Sequence, residues 1–248
     1  MAAGQLVGQY PAILGVVLAN ISHLSREIVE VSRQANDALL SLAPADPNQE
    51  SLQLDTGAIL ATISAELLRG TLTPAGSDAD PQVAVAMAVQ TEPSRLEALR
   101  WVHFLLDRAQ TKVLVQLPTI LPALLDALLA HSETVVEAAL GVFAAIASCP
   151  GQFRPVLGEL LGRFRGDTGA LLLQRGGALV IRRLCGFMGA EAVFTELAGA
   201  LHEEQDLTFA ATMVQALNLI LLTSPEVRGL REKLRGAAVP LPAQPSSR

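Results

Sequence analysis

An internal repeat constrains the fold of this 248-residue chain more than any other sequence feature. If residue 11 is placed on residue 118 without gaps, residues 11–39 and 118–146 share one apolar pattern. Pro11, Ile13, Leu14, Val17, Leu18, Ile21, Ser25, Ile28, Val29 and Leu39 fall on Pro118, Ile120, Leu121, Leu124, Leu125, Leu128, Ser132, Val135, Val136 and Ile146. Each copy has two apolar-striped segments around a polar turn, which predicts a pair of helices. One pair cannot cover its own apolar face, so pairs must stack on neighbours.

The repeat unit, about 37 residues long, is close to that of HEAT and armadillo proteins. The second copy, LPTILPALLDALLAHSETVVEAALGVFAAIA, has a proline-led first helix and a Val/Ala/Leu-striped second helix, as HEAT units do. We therefore predict an all-α fold, an α-solenoid of stacked helical hairpins that is HEAT/armadillo-like. The alternative is a globular helical bundle whose self-similarity is accidental.

Helical periodicity continues outside the repeat, whereas strand-like alternation is almost absent. In residues 23–43 one apolar stripe is formed by Leu24, Ile28, Val31, Ala35, Leu39 and Leu42. Residues 95–109 and 226–235 show the same spacing. Four prolines are expected near helix starts: Pro11, Pro118, Pro155 and Pro225. Ser132 and Asp206 are expected to cap helices.

These patterns divide the chain into five predicted segments. Residues 10–43 form a HEAT-like hairpin, 44–94 a helix with flexible loops, and 95–148 a helix plus a second HEAT-like hairpin. Residues 150–236 form further helical hairpins, and 237–248 a disordered tail. Within 44–94 the irregular stretches are 44–53 and 70–94, and the alternative for VAVAMAV (83–89) is a short helix.

Composition excludes several classes of protein. The net charge of −6 argues against non-specific nucleic-acid binding, which requires clustered cations. No secretory signal is visible, and the best apolar runs fall short of the roughly 20 residues that a membrane span needs. Cys149 and Cys185 are too few for a disulfide framework or a structural zinc site. We expect a cytoplasmic protein.

The search for chemistry yields one candidate, Asp55-Thr56-Gly57-Ala58, which spells the carboxylate signature of aspartic proteases. Those enzymes use two carboxylates, and this chain has no second copy. Asp55 or Thr56 as the N-cap of a helix is an alternative explanation for this motif. The four histidines are scattered, and no phosphate-binding glycine loop occurs. We therefore predict no catalytic, cofactor-binding or metal-ligating residue and no cofactor.

Charge is distributed unevenly in the last third of the chain. Six arginines and two acidic residues give residues 150–187 a local charge of +4, and residues 188–206 carry −5. Either adjacent helices neutralise each other, or these residues form a docking surface for a protein or an anionic lipid head group.

Four segments within residues 160–235 closely resemble the scaffold subunit of PIKfyve-type phosphoinositide kinase complexes, the family also called ArPIKfyve. They are LLGRF (160–164), LLLQRGGALVIRRLC (171–185), EEQDLTFAATMVQALNLILLTS (203–224) and LREKLR (230–235). Upstream segments such as RLEALRWVHFLL (95–106) occur in the family's order, so the resemblance extends over nearly the whole chain.

The resemblance implies a non-enzymatic HEAT-repeat scaffold. Such scaffolds hold a PIKfyve-type lipid kinase, which makes phosphatidylinositol 3,5-bisphosphate, together with a Sac-type phosphoinositide phosphatase on endosomal or vacuolar membranes. Membrane association would be peripheral and through these partners, with no nucleic-acid partner. The phosphatase-contacting region begins near residues 171–236, where Arg175, Arg182 and Arg183 are the expected protein-interaction residues. Arg182 stands where the family has arginine, whereas Gly176 replaces a frequent arginine.

Family members are longer than this chain, with a HEAT array before the matched part and a self-assembling helical tail after it. We therefore expect a partial form, in which self-assembly would depend on the missing tail. The alternative functions are an unrelated HEAT-repeat protein–protein adaptor and an aspartic-protease-like enzyme around Asp55.

Overall fold

A computed structural model describes residues 2–42, 55–69, 81–128, 130, 132–149, 151–165, 173 and 177–237. Each regular element in this part of the chain is helical, which confirms the predicted all-α class. The α-helices are α1 (Ala2–Ile21), α2 (Arg26–Leu42), α3 (Thr56–Leu68), α4 (Pro81–Val115), α5 (Leu117–Ala127), α6 (Glu133–Ala147), α7 (Phe153–Arg163), α8 (Ala178–Met188), α9 (Ala190–His202), α10 (Leu207–Thr223) and α11 (Arg228–Ala237). A short 3₁₀ helix, Pro225–Val227, joins α10 to α11.

The chain divides into two compact units, Met1–Glu159 and Leu160–Arg248. In the first unit α3 packs against α1, α4 and α5, and α6 packs against α4 and α5. In the second unit α8 packs against α9, α10 and the 3₁₀ helix. Helices close in the sequence therefore pack together within each unit, which is compatible with stacked hairpins.

The core of the first unit is mostly aliphatic around α3, and its largest fully buried side chains are the aromatic residues Trp101, Tyr10 and Phe143. One face of this helix is fully buried through Ile59, Leu60, Ile63 and Leu67. Burying each such side chain contributes about 1.5–3 kcal/mol relative to its exposure to water. Asp55 begins the helix, because its side chain accepts the N–H of Ala58 at 3.0 Å. The predicted capping role of Asp55 is thus confirmed.

Buried polar groups tie α4 to the first hairpin. The indole Nε1 of Trp101 donates to Asn36 Oδ1 at 2.8 Å, and Asn36 Nδ2 donates to Glu97 Oε2 at 2.9 Å. The hydroxyl of Ser94 donates to the carbonyl of Leu18 at 2.6 Å. Buried polar atoms without a partner are costly, so these bonds fix how α4 lies on α1 and α2.

Three sequence expectations are corrected by the structure. The apolar stripe of residues 23–43 predicts the buried face of α2, but Leu24, Ile28, Val31 and Leu42 are exposed, and the buried residues are Ser32, Asn36 and Leu39. The reason is that α2 turns its polar stripe toward the polar bonds of α4. The sequence pattern could not reveal this, because Asn36 finds its partners 61 and 65 residues away.

Pro11 lies inside α1 rather than near its start, because α1 begins at Ala2. A proline inside a helix removes one backbone hydrogen bond, and the burial of Tyr10, Leu14 and Leu18 on the same helix opposes that cost. By contrast, Pro118 is the second residue of α5, as predicted.

Residues 81–94, part of the stretch predicted to be irregular, are helical and belong to α4. The backbone of α4 leaves helical geometry at Ala109, with φ −135° and ψ 40°, where the helix predicted for 95–109 was expected to end. The predicted loops 44–53 and 70–80 lie outside the described residues, as do residues 238–248 of the predicted tail.

The second unit buries Ile181, Leu184 and Cys185 of α8 against its neighbouring helices. Gly189 joins α8 to α9 with φ +93°, a left-handed conformation that glycine adopts without strain. Gly177 allows close packing, since a Cβ there would lie 2.7 Å from Leu173 Cδ1. Gly177 thus permits the close packing that is found just before α8.

Among the described residues no single helix is both long enough and apolar enough to cross a bilayer. Residues 207–223 and 225–237 meet these criteria only when they are taken together, and they are bent by 85°.

Candidate protein-interaction surface

Arg182 and Glu226 form a two-point ion pair in the second unit. Arg182 Nη2 donates to Glu226 Oε1 at 2.8 Å, and Nε donates to Oε2 at 3.3 Å. The bonds from Arg182 hold the pKa of Glu226 below its usual value, and those to Glu226 raise the pKa of Arg182. Arg182 therefore has a structural role, because it ties α8 to the 3₁₀ helix that leads into α11.

Of the other two predicted interaction residues, Arg183 is described by the structure and Arg175 is not. Arg183 lies next to Arg182 on α8 with its side chain half-buried. Arg175 falls outside the described residues, so the structure places two of the three predicted residues on one helix. Their role in binding a partner stays a prediction.

Several charges of the basic and acidic segments pair with each other or with other helices of the unit. Arg165 forms a two-point ion pair with Glu204, and its guanidinium lies 4.9 Å from the ring centroid of Phe209. Glu191 on α9 pairs with Lys233 on α11. Arg165–Glu204 is a pair between the basic and the acidic segment, as expected if these segments neutralise each other, whereas Glu191 is neutralised by a lysine outside both segments.

Helix α10 carries an exposed apolar face that the sequence pattern did not predict. Its 17 residues, LTFAATMVQALNLILLT, include no charged side chain. Phe209, Met213, Leu217 and Ile220 face the unit's own core. A surface helix ordinarily carries charged residues on the face opposite its core stripe. The uncharged composition of residues 207–223 was the available signal that this helix is not an ordinary surface helix.

Cys185 is buried and chemically unreactive. Burial raises the pKa of its thiol to about 12, with the charge of Glu226 acting in the same direction. A thiol that stays protonated at neutral pH is a poor nucleophile. The expectation that Cys185 packs within an apolar helix is therefore confirmed. In the described part of the chain, no three His, Cys, Asp or Glu side chains are grouped so that they could hold a metal ion.

Asp55 lies at a shallow depression in the first unit. The cavity has a volume of about 330 Å³ and is lined by Asp55, Thr56, Gly57, Thr111, Lys112, Val115 and Gln116. This lining set contains no second carboxylate, so the paired acids of an aspartic protease are not assembled there. Asp55 also sits at the start of a helix in an all-helical neighbourhood, and its carboxylate is used for capping.

Comparison with known proteins is consistent with the sequence resemblance. The sequence model of the family described as "Vacuolar protein 14 C-terminal Fig4p binding" matches residues 170–243. The chain is 40% identical to a VAC14 homologue from Arabidopsis thaliana over 95% of this chain and 28% of that protein. It is 38% identical to the VAC14 homologue of Schizosaccharomyces pombe over 59% of this chain and 18% of that protein.

A third relative is the vacuole morphology and inheritance protein 14 of Saccharomyces cerevisiae. It is 24% identical over 91% of this chain and 28% of its own length. This chain therefore spans less than a third of the curated relatives that it matches. No solved structure matches it. The predicted resemblance to the vacuole-morphology scaffold family is confirmed.

Proposed function

We propose that this chain, which resembles VAC14 proteins over 95% of its length, works as part of a non-enzymatic scaffold that binds a Sac-type phosphoinositide phosphatase. The match of residues 170–243 to the Fig4p-binding family carries this proposal. These residues include α8 to α11, so the second unit is the phosphatase-binding part.

The wider proposal is that the scaffold brings this phosphatase and a PIKfyve-type lipid kinase together on endosomal or vacuolar membranes. It thereby regulates the synthesis of phosphatidylinositol 3,5-bisphosphate. Holding two enzymes on one support raises their effective concentration toward each other without new chemistry in the support. The vacuolar names of the relatives support this location, and membrane association would be peripheral.

Direct binding tests the proposal. The full chain is titrated into the Sac-type phosphatase of the same organism, and the affinity is measured by isothermal titration calorimetry. Saturable binding with one stoichiometry supports the proposal, and an absence of binding by a folded chain contradicts it. Circular dichroism on the same sample establishes that the chain is helical.

The proposed contacts of Arg182 and Arg183 need a control for the ion pair. Arg182→Glu removes a possible partner contact and also breaks the tie to Glu226. Glu226→Gln weakens the same tie but leaves the guanidinium intact. If Arg182 contacts the phosphatase, Arg182→Glu lowers the affinity and Glu226→Gln does not. Equal losses in both variants would assign Arg182 a structural role only.

Arg183→Glu and Arg175→Glu are the corresponding single changes at the other two predicted contacts. A loss of affinity at unchanged helicity supports a contact, because charge reversal at an interface costs far more than at a solvated face. Unchanged affinity in both variants would remove these arginines from the binding surface.

A further inference from the structure

Helix α10 has two apolar stripes on roughly opposite sides. The inner stripe packs into the second unit through Phe209, Met213, Leu217 and Ile220. The outer stripe is exposed and consists of Leu207, Ala211, Val214 and Leu222, with the polar side chain of Asn218 between Val214 and Leu222. Leu207 is 78% exposed, Val214 45% and Leu222 67%. A helix that is apolar on both sides is typical of the middle of a layer, with helices packed on both faces.

The neighbouring hydroxyl residues do not make this face more polar. Thr212 Oγ1 donates to the carbonyl of Thr208 at 2.9 Å, and Thr223 Oγ1 donates to the carbonyl of Leu219. Both hydroxyl protons are therefore used within the helix. The amide of Asn218 remains the polar group within the stripe, so a partner that packs here must supply one hydrogen-bonding group opposite it.

We propose that the outer stripe of α10 is the docking surface for an amphipathic helix of the phosphatase. This inference rests on the proposed function. Residues 207–222 cover about 22 Å along the helix axis, at 1.5 Å per residue. This length suits a partner helix of about four turns, with apolar anchors at helical spacing. The match to the Fig4p-binding family includes all of α10.

The charges at the two ends of α10 indicate the orientation of the partner helix. Asp206 caps the N-terminal end, where its carboxylate accepts the N–H groups of Thr208 and Phe209. Arg231 lies at the other end and donates to the carbonyl of Leu222. A partner helix with acidic residues in its first turn and basic residues in its last turn, as helices commonly have, fits best when it is antiparallel to α10.

The same features disfavour a lipid bilayer as the occupant. Helices that lie on membranes carry Lys or Arg beside the apolar face and insert Trp or Phe. Helix α10 has no basic residue, and its one aromatic side chain, Phe209, is buried in the unit. Asp206 at one end would be repelled by an anionic surface, and the guanidinium of Arg231 at the other end is already bonded to the carbonyl of Leu222.

The test introduces a charge on the outer stripe of the full chain. Val214→Arg and Leu222→Arg are each titrated with the Sac-type phosphatase of the same organism. Val115→Arg is the matched control, since Val115 is an exposed valine in the first unit. We expect each stripe variant to bind about 10- to 100-fold more weakly than the unchanged chain, because a buried unpaired charge opposes docking. The control keeps the original affinity.

The outcomes separate this inference from the proposed function. If the unchanged chain binds and both stripe variants bind equally well, the docking site is wrong and the proposed function stands. If the unchanged chain does not bind, both fail. Co-sedimentation with phosphatidylcholine–phosphatidylserine vesicles is measured in parallel. Vesicle binding that Val214→Arg abolishes would assign the stripe to lipid and overturn the protein-docking inference. Circular dichroism verifies that each variant keeps its helicity.

Discussion

The two copies of the internal repeat form similar helical hairpins but bury different faces. In the first helices, α1 and α5, matched residues are buried in both copies, as for Leu14 and Leu121. In the second helices they differ, because Ile28 of α2 is 40% exposed and its counterpart Val135 of α6 is 1% exposed.

The difference comes from the neighbours of each hairpin. Helix α6 packs against α4 as well as α5, so its apolar residues on two sides are covered. Helix α2 packs chiefly against α1 and meets α4 through the polar side chain of Asn36. One sequence pattern thus yields two buried faces, since burial depends on what lies opposite.

The largest predicted effect is at Phe143, the α6 counterpart of Asn36. Phe143→Ala removes a side chain that is only 1% exposed and should lower the free energy of unfolding by about 3–5 kcal/mol. Urea denaturation followed by tryptophan fluorescence measures this loss, because the single tryptophan, Trp101, lies in the same unit. A loss below about 1 kcal/mol would contradict the described packing of α6.

Substitution of Asn36 should lower the free energy of unfolding by less, and for a different chemical reason. Asn36→Ala leaves the buried Nε1 of Trp101 without its acceptor and should cost about 1–3 kcal/mol. A double-mutant cycle with Trp101→Phe tests whether the lost hydrogen bond causes this effect. Unfolding in urea is followed by circular dichroism. Coupling between the two changes is expected, and purely additive losses would contradict the role of this hydrogen bond.

The contacts of Glu92 on α4 with the start of α6 should make the free energy of unfolding depend on pH, and the start of α2 in the first hairpin has no corresponding contact among the described residues. The hydroxyls of Thr134 and Ser132, at the start of α6, donate to Glu92 Oε1 at 2.5 and 2.8 Å. These bonds hold the pKa of Glu92 below its usual value. The resulting stability is present above the unfolded-state pKa, about 4.3, and is lost as the pH falls through the lower folded-state pKa.

Glu92→Gln should remove this part of the acid dependence. Urea denaturation between about pH 6 and about pH 3 should show a smaller decline for the variant, by less than about 1 kcal/mol, because the carboxylate is partly exposed. The double change Ser132→Ala with Thr134→Ala, in which Glu92 is kept, should produce the same flattening. Identical pH profiles for all three proteins would refute the assignment.

The smallest effect is predicted on the exposed stripe of α2. Val31 is 66% exposed, so Val31→Ser should change the free energy of unfolding by no more than about 0.5 kcal/mol. Leu39→Ser on the same helix is the buried control and should cost several times more. A large loss at Val31 would mean that this face is covered in solution, which analytical ultracentrifugation would detect as self-association.

The sequence predicted the helices better than it predicted their environment. Local signals identified the caps Asp55, Ser132 and Asp206, and each side chain accepts a backbone N–H at the start of its helix. Capping depends on residues within one turn, so a sequence reveals it directly. The position of Pro11 differs from the prediction, because nine residues before it also belong to α1 and a local sequence signal does not show how far a helix extends ahead of a proline.

The candidate surface was predicted only in part, for the same physical reason. The sequence alone predicted a phosphatase-contacting region near residues 171–236 and three arginines within it, and their role in binding stays a prediction. It did not indicate that Arg182 is tied to Glu226, which lies 44 residues further along the chain. Nor did it reveal the outer face of α10, because periodicity does not say which of two apolar stripes faces the core.

By itself the sequence determined the helical class, the repeated hairpins, the capping residues and the resemblance to the scaffold family. These follow from interactions within a few residues and from patterns that can be compared directly. The tertiary structure decided which faces are buried, which charges are paired and which apolar side chains stay exposed. Those properties depend on contacts between residues far apart in the chain, since a side chain's free energy is set by the atoms that surround it after folding.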